Sequence, residues 1–219
     1  MKSEDIIFLE GDSYKNRNLM VGIPTRGMIH YKVVSSWKTL LFPINSKSVQ
    51  VWAHNFEVGE ARNGIVESFL GQKDLKYLLF IDDDLVIPDD ALLRHIRLMD
   101  AHGADIIGGV YRLKDGSGNI VAYKYKNDMI NSITDEECLS NEYLDVDVVG
   151  MGFTLIKREV FEKIRGSWFK TIQETCSKGT RCFTEDVYFC KRAKDLGFKI
   201  GLNSHITMGH IDTNTNIIF

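Results

Sequence analysis

Tyr77-Leu-Leu-Phe-Ile-Asp-Asp-Asp-Leu-Val-Ile-Pro88 is the stretch of sequence that decides the fold. Its first part, from Tyr77 to Ile81, is an apolar, aromatic and β-branched run, which predicts a strand buried on both faces. Three carboxylates, Asp82, Asp83 and Asp84, follow directly. Because an unpaired buried carboxylate is costly, the triplet must lie where the strand leaves the core. In open α/β sheets, ligands bind at such strand ends.

The acidic triplet has two interpretations. Clustered aspartates suit a hard divalent cation, which takes oxygen ligands and commonly also holds substrate phosphates. The alternative is a solvated acidic turn that caps a helix beginning near Asp89. The position directly behind a buried strand favours the cation site.

The composition narrows the class of protein. A chain of 219 residues with 44% hydrophobic and 26% charged residues is typical of globular proteins and suffices for one substantial α/β domain or two small ones. The net charge of −3 gives no reason to expect nucleic acid or an anionic membrane as a partner. The sequence shows neither a membrane-spanning run nor a signal peptide, so we expect a cytoplasmic protein. The cysteines lack C-x-x-C spacing and are expected to be free thiols: Cys138, Cys176, Cys182 and Cys190.

The first half of the chain alternates strand and helix patterns, which predicts a mostly parallel sheet with right-handed crossovers. The predicted strands are Asn18–Pro24, Ser48–His54, Tyr77–Ile81 and Ala104–Gly109, and the predicted helices are Met28–Leu41, Glu57–Leu70 and Asp89–His102.

The second half has a different pattern. The predicted elements are a β-hairpin over Val110–Lys126, a strand over Val146–Ile156, a short helix over Arg158–Ile164, a loop over Gly166–Phe183, a helix that Thr184 opens and Gly197 closes, and a last strand over Lys199–Leu202.

Arg26 is predicted to share an edge of the sheet with the acidic triplet, because both follow strands and precede helices. Arginine clamps phosphate oxygens while carboxylates hold a cation, so this edge suits a phosphorylated, metal-bound ligand. Arg62, early in the second helix, either reaches the same cleft or is an exposed helix charge. The sequence has no G-x-x-x-x-G-K-[ST] loop, and no G-x-G-x-x-G follows the first strand.

Several short segments occur in order along the chain: Pro24-Thr25-Arg26, Ala61-Arg62-Asn63, Phe80-Ile-Asp-Asp-Asp84, Gly109-Val-Tyr-Arg112, Gly150-Met-Gly-Phe153, and Glu185-Asp186 with a later Gly209-His210. Together they resemble a GT-A glycosyltransferase of the family-two type, in the compact form common in phages and bacteria. The resemblance covers the chain from about Leu19 to Ile211.

The resemblance implies the fold and the activity. The fold would be α/β, with a mostly parallel central sheet flanked by helices and a smaller mixed β part in the second half. Residues 1–219 would form a single GT-A domain, with a nucleotide-binding half at about 18–109 and an acceptor half at about 110–219. The activity would be metal-dependent transfer of a hexose or pentose from a UDP- or GDP-type sugar to a hydroxyl group. Mn²⁺ or Mg²⁺ would be the metal.

The resemblance also implies metal ligands. Asp84 would be the main ligand, Asp82 a second one nearer the nucleotide ribose, and Asp83 would lie near the sugar. His210 would complete the metal shell from the C-terminal side. The alternative for His210 is a buried core histidine.

Other matching residues would bind nucleotide or acceptor. Pro24, Thr25 and Arg26 would touch the nucleotide, and Arg62 would support its base or diphosphate. Asp186, with Glu185 as the second candidate, would take the proton of the acceptor hydroxyl as a general base. The alternative for both acids is ordinary charge at a helix N-terminus, which the helix dipole favours.

Two features and two rival functions remain open. The glycines of Gly150–Phe153 either let a donor sugar approach the backbone or form a bulge, and Trp168 either stacks on an acceptor or anchors its loop. A nucleotidyltransferase and a non-catalytic nucleotide-sugar-binding protein are the rivals. The acceptor stays open among small molecules, glycans, proteins and modified DNA bases.

Overall fold

The computed structural model describes residues 16–44, 46–126, 129–176 and 179–219. For residues 174–176 and 179–182 the description is confined to the backbone.

The elements follow one another in a strand–helix alternation that becomes richer in strands in the second half of the chain. In chain order they are β1 (Leu19–Thr25), α1 (Tyr31–Thr39), β2 (Ser48–His54), α2 (Val58–Gly71), β3 (Tyr77–Ile81), β4 (Leu85–Val86), α3 (Ala91–His102), β5 (Ile106–Val110), β6 (Ala122–Lys126), β7 (Met129–Ser132), α4 (Asp135–Ser140), β8 (Tyr143–Asp145), β9 (Val148–Val149), β10 (Phe153–Lys157), α5 (Arg158–Lys163), β11 (Ile172–Cys176), β12 (Gly179–Phe183), α6 (Glu185–Asp195), β13 (Ile200–Thr207) and β14 (Gly209–His210).

The central sheet has seven strands in the order β2-β1-β3-β10-β5-β13-β8. Strands β1, β2 and β3 are parallel, and so are β5 and β13. Strand β10 is inserted antiparallel between β3 and β5, and β8 closes one edge antiparallel to β13. Five of the seven strands therefore run in one direction, and the predicted mostly parallel α/β fold is confirmed.

The core lies on both faces of this sheet because successive strand residues point to opposite sides. Leu78 and Phe80 of β3 belong to one buried cluster, which includes residues of α2, α5 and α6. Leu79 and Ile81 belong to a second cluster, which includes residues of α3. The prediction that β3 is buried on both faces is confirmed.

Three small sheets lie outside the central one: β7-β6-β9, β11-β12 and β14-β4. The hairpin predicted over Val110–Lys126 is wrong in part. Its first arm joins β5 of the central sheet at Val110, and β6 pairs with β7 and β9 rather than with that arm. Across the predicted turn, Arg112 and Ile120 form an antiparallel bridge, and the Leu113 N–H and the Val121 N–H donate to the Asn119 and Tyr111 carbonyls.

Two further predictions of local structure are wrong. The strand predicted over Val146–Ile156 is divided into β9 and β10, which belong to different sheets. The break lies at the glycines, where a Cβ on Gly150 would lie 2.0 Å from Tyr111 Oη. The loop predicted over Gly166–Phe183 contains the antiparallel pair β11 and β12, because backbone hydrogen bonds form a hairpin there without an apolar alternation in the sequence.

Cys138 and Cys190 are free and buried, while the side chains of Cys176 and Cys182 lie outside the described part of the chain.

Among the described residues, no helix combines the length and the apolar character that crossing a bilayer requires.

Candidate active site

A cleft of about 690 Å³ opens where β1 and β3 end, within the size range of small-molecule sites. It brings the predicted residues Pro24, Thr25 and Arg26 together with the whole acidic triplet. Its lining consists of Pro24, Thr25, Arg26, Met28, Phe56, Glu57, Val58, Asp82, Asp83, Asp84, Lys114, Asp212, Thr213 and Asn214.

The cleft has an apolar side and a charged side. Met28, Phe56 and Val58 are exposed hydrophobic residues on its lining. Five lining residues are acids, whereas Arg26 and Lys114 are its two cations. This balance is net negative, so an additional cation would favour the binding of an anionic ligand there.

Arg26 lies against the triplet through its backbone. Its N–H donates to Asp83 Oδ2 at 3.2 Å, which fixes the turn after β1 beside the end of β3. The Arg26 side chain is exposed, and no described residue forms an ion pair with it. Its guanidinium is therefore available to a ligand in the cleft.

Asp84 is the member of the triplet that meets cationic groups at the cleft. Lys114 Nζ donates to its Oδ2, and His210 Nε2 lies 3.5 Å from the same oxygen. Burial alone would raise the pKa of Asp84, but hydrogen bonds from His210 and Lys114 outweigh it and hold this pKa below its ordinary value. Asp84 is therefore ionised at neutral pH.

His210 reaches Asp84 because β14 pairs with β4, with His210 opposite Leu85. The Ile211 N–H also donates to the Asp84 carbonyl at 2.9 Å. His210 is half-buried and packs edge-on against Tyr111. Of its two predicted interpretations, a wholly buried core histidine is wrong.

The protonation of His210 follows from its second contact. Nδ1 lies 2.7 Å from the Arg112 carbonyl oxygen, which only accepts, so Nδ1 carries the proton. Nε2 then faces Asp84 with either a second proton or its lone pair. Nε2 and Asp84 Oδ2 are 3.5 Å apart, and two atoms that each lie ~2.1 Å from a cation are roughly 3 to 3.5 Å apart. This pair of ligand atoms fits a divalent cation.

The third predicted metal ligand, Asp82, is oriented differently. Both of its oxygens accept from Arg62 NH2, at 3.0 and 3.2 Å. Across the described ranges, no three His, Cys, Asp or Glu side chains converge as a metal site. A cation at Asp84 and His210 would take its other ligands from substrate phosphate and water, as Mg²⁺ commonly does.

Arg62 forms a buried cluster behind the cleft. Its side chain is 3% exposed, so the interpretation as an exposed helix charge is wrong. NH1 donates to Glu185 Oε1 and, at 2.8 Å, to Asp186 Oδ1. Asp186 Oδ2 also accepts from the Met151 N–H at 3.2 Å. One guanidinium thus holds both predicted acids and Asp82.

The charge balance of this cluster shifts its pKa values. Burial comes first in raising the pKa of Asp186, to about 7, and the charges of Glu185 and Asp82 add to it while Arg62 opposes it. The pKa of Asp82 is also raised, chiefly by burial and against the effect of Arg62. Three carboxylates around one cation cannot all ionise without cost, so Asp186 is held near the point of gaining or losing a proton at neutral pH.

The N-termini of α2 and α6 bring these acids to Arg62. A Cβ on Gly59, in the first turn of α2, would lie 3.6 Å from Glu185 Cβ, so the two helix starts nearly touch. Glu185 and Asp186 occupy the first turn of α6, where the helix dipole favours negative charge. Both of their predicted interpretations are thus compatible with this position.

The remaining sequence features have structural explanations. Gly150 and Gly152 make room for the Tyr111 ring, and Gly152 N–H donates to Tyr111 Oη at 3.2 Å. Trp168 Nε1 donates to the Phe161 carbonyl at 2.9 Å, and its backbone N–H donates to Asn63 Oδ1. These contacts favour Trp168 as the anchor of its loop.

Lys114 and the segment from Asp212 to Asn214 carry no motif in the sequence that marks them as part of the site. Lys114 follows the Gly109–Arg112 segment by two positions, and Asp212 follows His210 by two. Their closeness in the sequence to these predicted segments was the one signal that could have placed them in the site. It is weak, because charged residues near a turn are usually solvated.

The comparisons with known proteins identify the family. The sequence profile of glycosyl transferase family 2 matches residues 48–165, which include Arg62 and the acidic triplet. This is more than half of the chain, so the chain belongs to glycosyl transferase family 2 and is a glycosyltransferase. A comparison with curated protein sequences gives no match.

Solved structures show the same GT-A fold. The chain is similar to A197 from STIV, with a TM-score of 0.63, 22% identity and coverage of 92% of this chain and 93% of that one. GalNAc-T7, solved with UDP, GalNAc and Mn²⁺, has a TM-score of 0.60 and 10% identity over 91% of this chain and 44% of its own. S. aureus TarS 1-349 in complex with UDP-GlcNAc has a TM-score of 0.52 and 13% identity over 87% of this chain and 57% of its own.

Proposed function

We propose that this glycosyltransferase moves a hexose or pentose from a nucleotide-diphosphate sugar to an acceptor hydroxyl group, with Mn²⁺ or Mg²⁺ bound at Asp84 and His210. The observation that carries the proposal is the pair formed by Asp84 Oδ2 and His210 Nε2, 3.5 Å apart at the edge of a net negative cleft. In a net negative cleft, a bound cation would offset the repulsion that a diphosphate meets. When bound, the cation supplies Lewis-acid stabilisation of the leaving diphosphate.

The residues of the first half would hold the donor. Pro24, Thr25 and Arg26 line the cleft beside Asp83, and the free Arg26 guanidinium suits phosphate oxygens. The solved structures that contain UDP or UDP-GlcNAc have this fold, which supports a nucleotide sugar of the UDP type, with GDP as the other candidate. Residues 18–109 would thus form the nucleotide-binding half, and residues 110–219 the acceptor half of one domain.

Asp186 would act as the general base. Its pKa, raised to about 7, is close to the working pH, where a base is most effective. Oδ1 is fixed by Arg62 and Oδ2 by the Met151 N–H, so the carboxylate has one orientation. Arg62 would act by positioning Asp186, Glu185 and Asp82, which differs from the predicted direct support of the nucleotide. A cytoplasmic location stays a prediction.

The test is a transfer and hydrolysis assay with radiolabelled UDP- and GDP-sugars, run with Mn²⁺, with Mg²⁺ and with a chelator. We expect release of the sugar that depends on the metal, and a calorimetric signal for UDP with Mn²⁺ that Asp84→Ala abolishes. Unchanged nucleotide affinity in Asp84→Ala contradicts its role as a ligand. If the protein shows neither turnover nor metal-dependent binding of nucleotide, the alternative is a non-catalytic protein of this fold.

A further inference from the structure

Lys114 occupies the place in the cleft where a cation is needed. Its Nζ donates to Asp84 Oδ2, the same oxygen that faces His210 Nε2. The lysine side chain is 29% exposed and that of Asp84 is 27% exposed. The ion pair therefore lies at the mouth of the site, where water and ligands reach it.

The backbone around Lys114 is held by hydrogen bonds, whereas its side chain is held by the partly exposed ion pair with Asp84. The Leu113 N–H donates to the Asn119 carbonyl at 3.0 Å, which closes the turn after Lys114. Arg112 lies two residues before Lys114. Its carbonyl contacts His210 Nδ1, and its guanidinium donates to Asp135. Lysine carries a point charge on a flexible four-carbon stem, so its ammonium group can move within the cleft while its Cα stays in place.

A divalent cation and the Lys114 ammonium cannot share Asp84 Oδ2 without repulsion. Lys114 would leave this oxygen if Asp84 and His210 held a divalent cation between them. The displaced ammonium stays in a cleft whose other cation is Arg26. A donor diphosphate brings new negative charge into the same cleft and offers Lys114 a partner.

We propose that Lys114 neutralises Asp84 in the ligand-free protein and moves to the donor diphosphate when a divalent cation takes its place. This inference rests on the proposed function of the site. Lys114 then opposes binding of the metal alone and favours binding of the nucleotide in the presence of metal. The two ligands are thereby coupled, and neither occupies the cleft efficiently without the other.

The test compares wild type with Lys114→Met, Lys114→Arg and a matched control, Lys157→Met. Lys157 forms an ion pair with Asp105 at 2.8 Å, with side-chain exposures of 27% and 16%, and it lies outside the cleft. Calorimetry measures the Kd of Mn²⁺ alone, and then the Kd of UDP and of GDP with and without saturating Mn²⁺. Thermal unfolding checks that every variant is folded.

Lys114→Met is expected to bind Mn²⁺ alone about three- to fivefold more tightly, the range that a partly exposed ion pair is worth. It is expected to bind UDP about tenfold more weakly in saturating Mn²⁺, because a charged hydrogen bond to phosphate is lost. Lys114→Arg retains the charge and should stay close to wild type in both measurements. Lys157→Met should change neither.

Equal or weaker Mn²⁺ affinity in Lys114→Met overturns the exchange, and so does an unchanged UDP affinity. If no variant binds Mn²⁺ even with nucleotide, the metal site of the proposed function fails and the exchange fails with it. If wild type binds Mn²⁺ but neither nucleotide, the donor assignment fails. Tighter Mn²⁺ binding by Lys114→Met would then still support the competition for Asp84.

Discussion

Asp82 and Asp84 are two residues apart in the sequence and belong to two different charge environments. Asp84 faces the open cleft, where its partners are the half-exposed Lys114 and His210. Asp82 also lines the cleft and is as exposed as Asp84, at 27%, but both of its oxygens accept from Arg62, whose side chain is 3% exposed. Both environments contain direct ion pairs, but the cation of the cleft pair is 29% exposed, whereas the cation of the cluster is buried.

This difference indicates how one acidic triplet serves two purposes. An exposed ion pair contributes little to stability, so replacing its cation with a ligand costs little. A buried ion pair is expensive to break, so the cluster around Arg62 holds its acids in one geometry. The cleft is therefore suited to changing partners, and the cluster is suited to positioning a base.

The largest expected effect is on the rate of transfer in Asp186→Asn. Loss of a general base should lower the rate by about 10²- to 10⁴-fold while donor binding stays nearly intact. The measurement is single-turnover transfer together with calorimetry of UDP and Mn²⁺. Glu185→Gln is the control, since a larger loss there would make Glu185 the base. Transfer near the wild-type rate in Asp186→Asn would exclude Asp186 from that role.

Arg62→Met should cause the largest loss of stability. It leaves three carboxylates in the cluster without their shared cation, and we expect the free energy of unfolding at pH 8 to fall by about 3 to 5 kcal/mol. Denaturant unfolding measures this loss, which should shrink at pH 5 as the acids gain protons. A variant as stable as wild type would show that the buried cluster is not fixed by Arg62.

The pKa of Asp186 predicts opposite pH effects on stability and on activity. Its pKa is raised to about 7 in the folded protein from an ordinary value of 3.8, so the folded state binds more protons between these values than the unfolded state. Its contribution to stability is present below the lower value and is lost as the pH rises through about 7. The transfer rate should rise over the same range, because the base must be ionised.

The measurement is the difference in unfolding free energy between wild type and Asp186→Asn from pH 4 to pH 9, without metal or nucleotide. Taking the difference removes the contribution of acids such as Asp84, whose lowered pKa acts in the opposite direction. A constant difference over this range would contradict the raised pKa.

The smallest expected effect on stability is that of Arg26→Met, which changes a side chain exposed at the cleft. Its free energy of unfolding should stay within about 0.5 kcal/mol of wild type, because the side chain is exposed and the Asp83 contact is made by its backbone. Its Kd for UDP in saturating Mn²⁺ should rise by about tenfold. Equal UDP affinity would show that the guanidinium does not contact the donor.

The features predicted well from the sequence are those that depend on neighbouring residues. The strand Tyr77–Ile81 and the edge strand Ser48–His54 have the same bounds in the structure, because their apolar runs and alternation are local signals. The meeting of Arg26 with the acidic triplet followed from the parallel sheet, since parallel strands place their carboxyl ends on one edge.

The burial of Arg62 was not predictable in this way. Its partners Glu185 and Asp186 come from the other half of the chain, and nothing near Arg62 in the sequence marks it as buried. The hairpin of β11 and β12 was missed because its strands have few apolar residues. Lys114 was missed because an ion pair across a cleft has no spacing pattern.

The pairing of β14 with β4 has a consequence for the order of folding. His210 is translated long after Asp84, and the pairing of β14 with β4 brings the two together. A nascent chain that ends after β5 therefore contains the acidic triplet without the histidine beside it. With the metal held at Asp84 and His210, affinity for Mn²⁺ would report that the last strand has docked, and metal binding could be used to time the final step of folding.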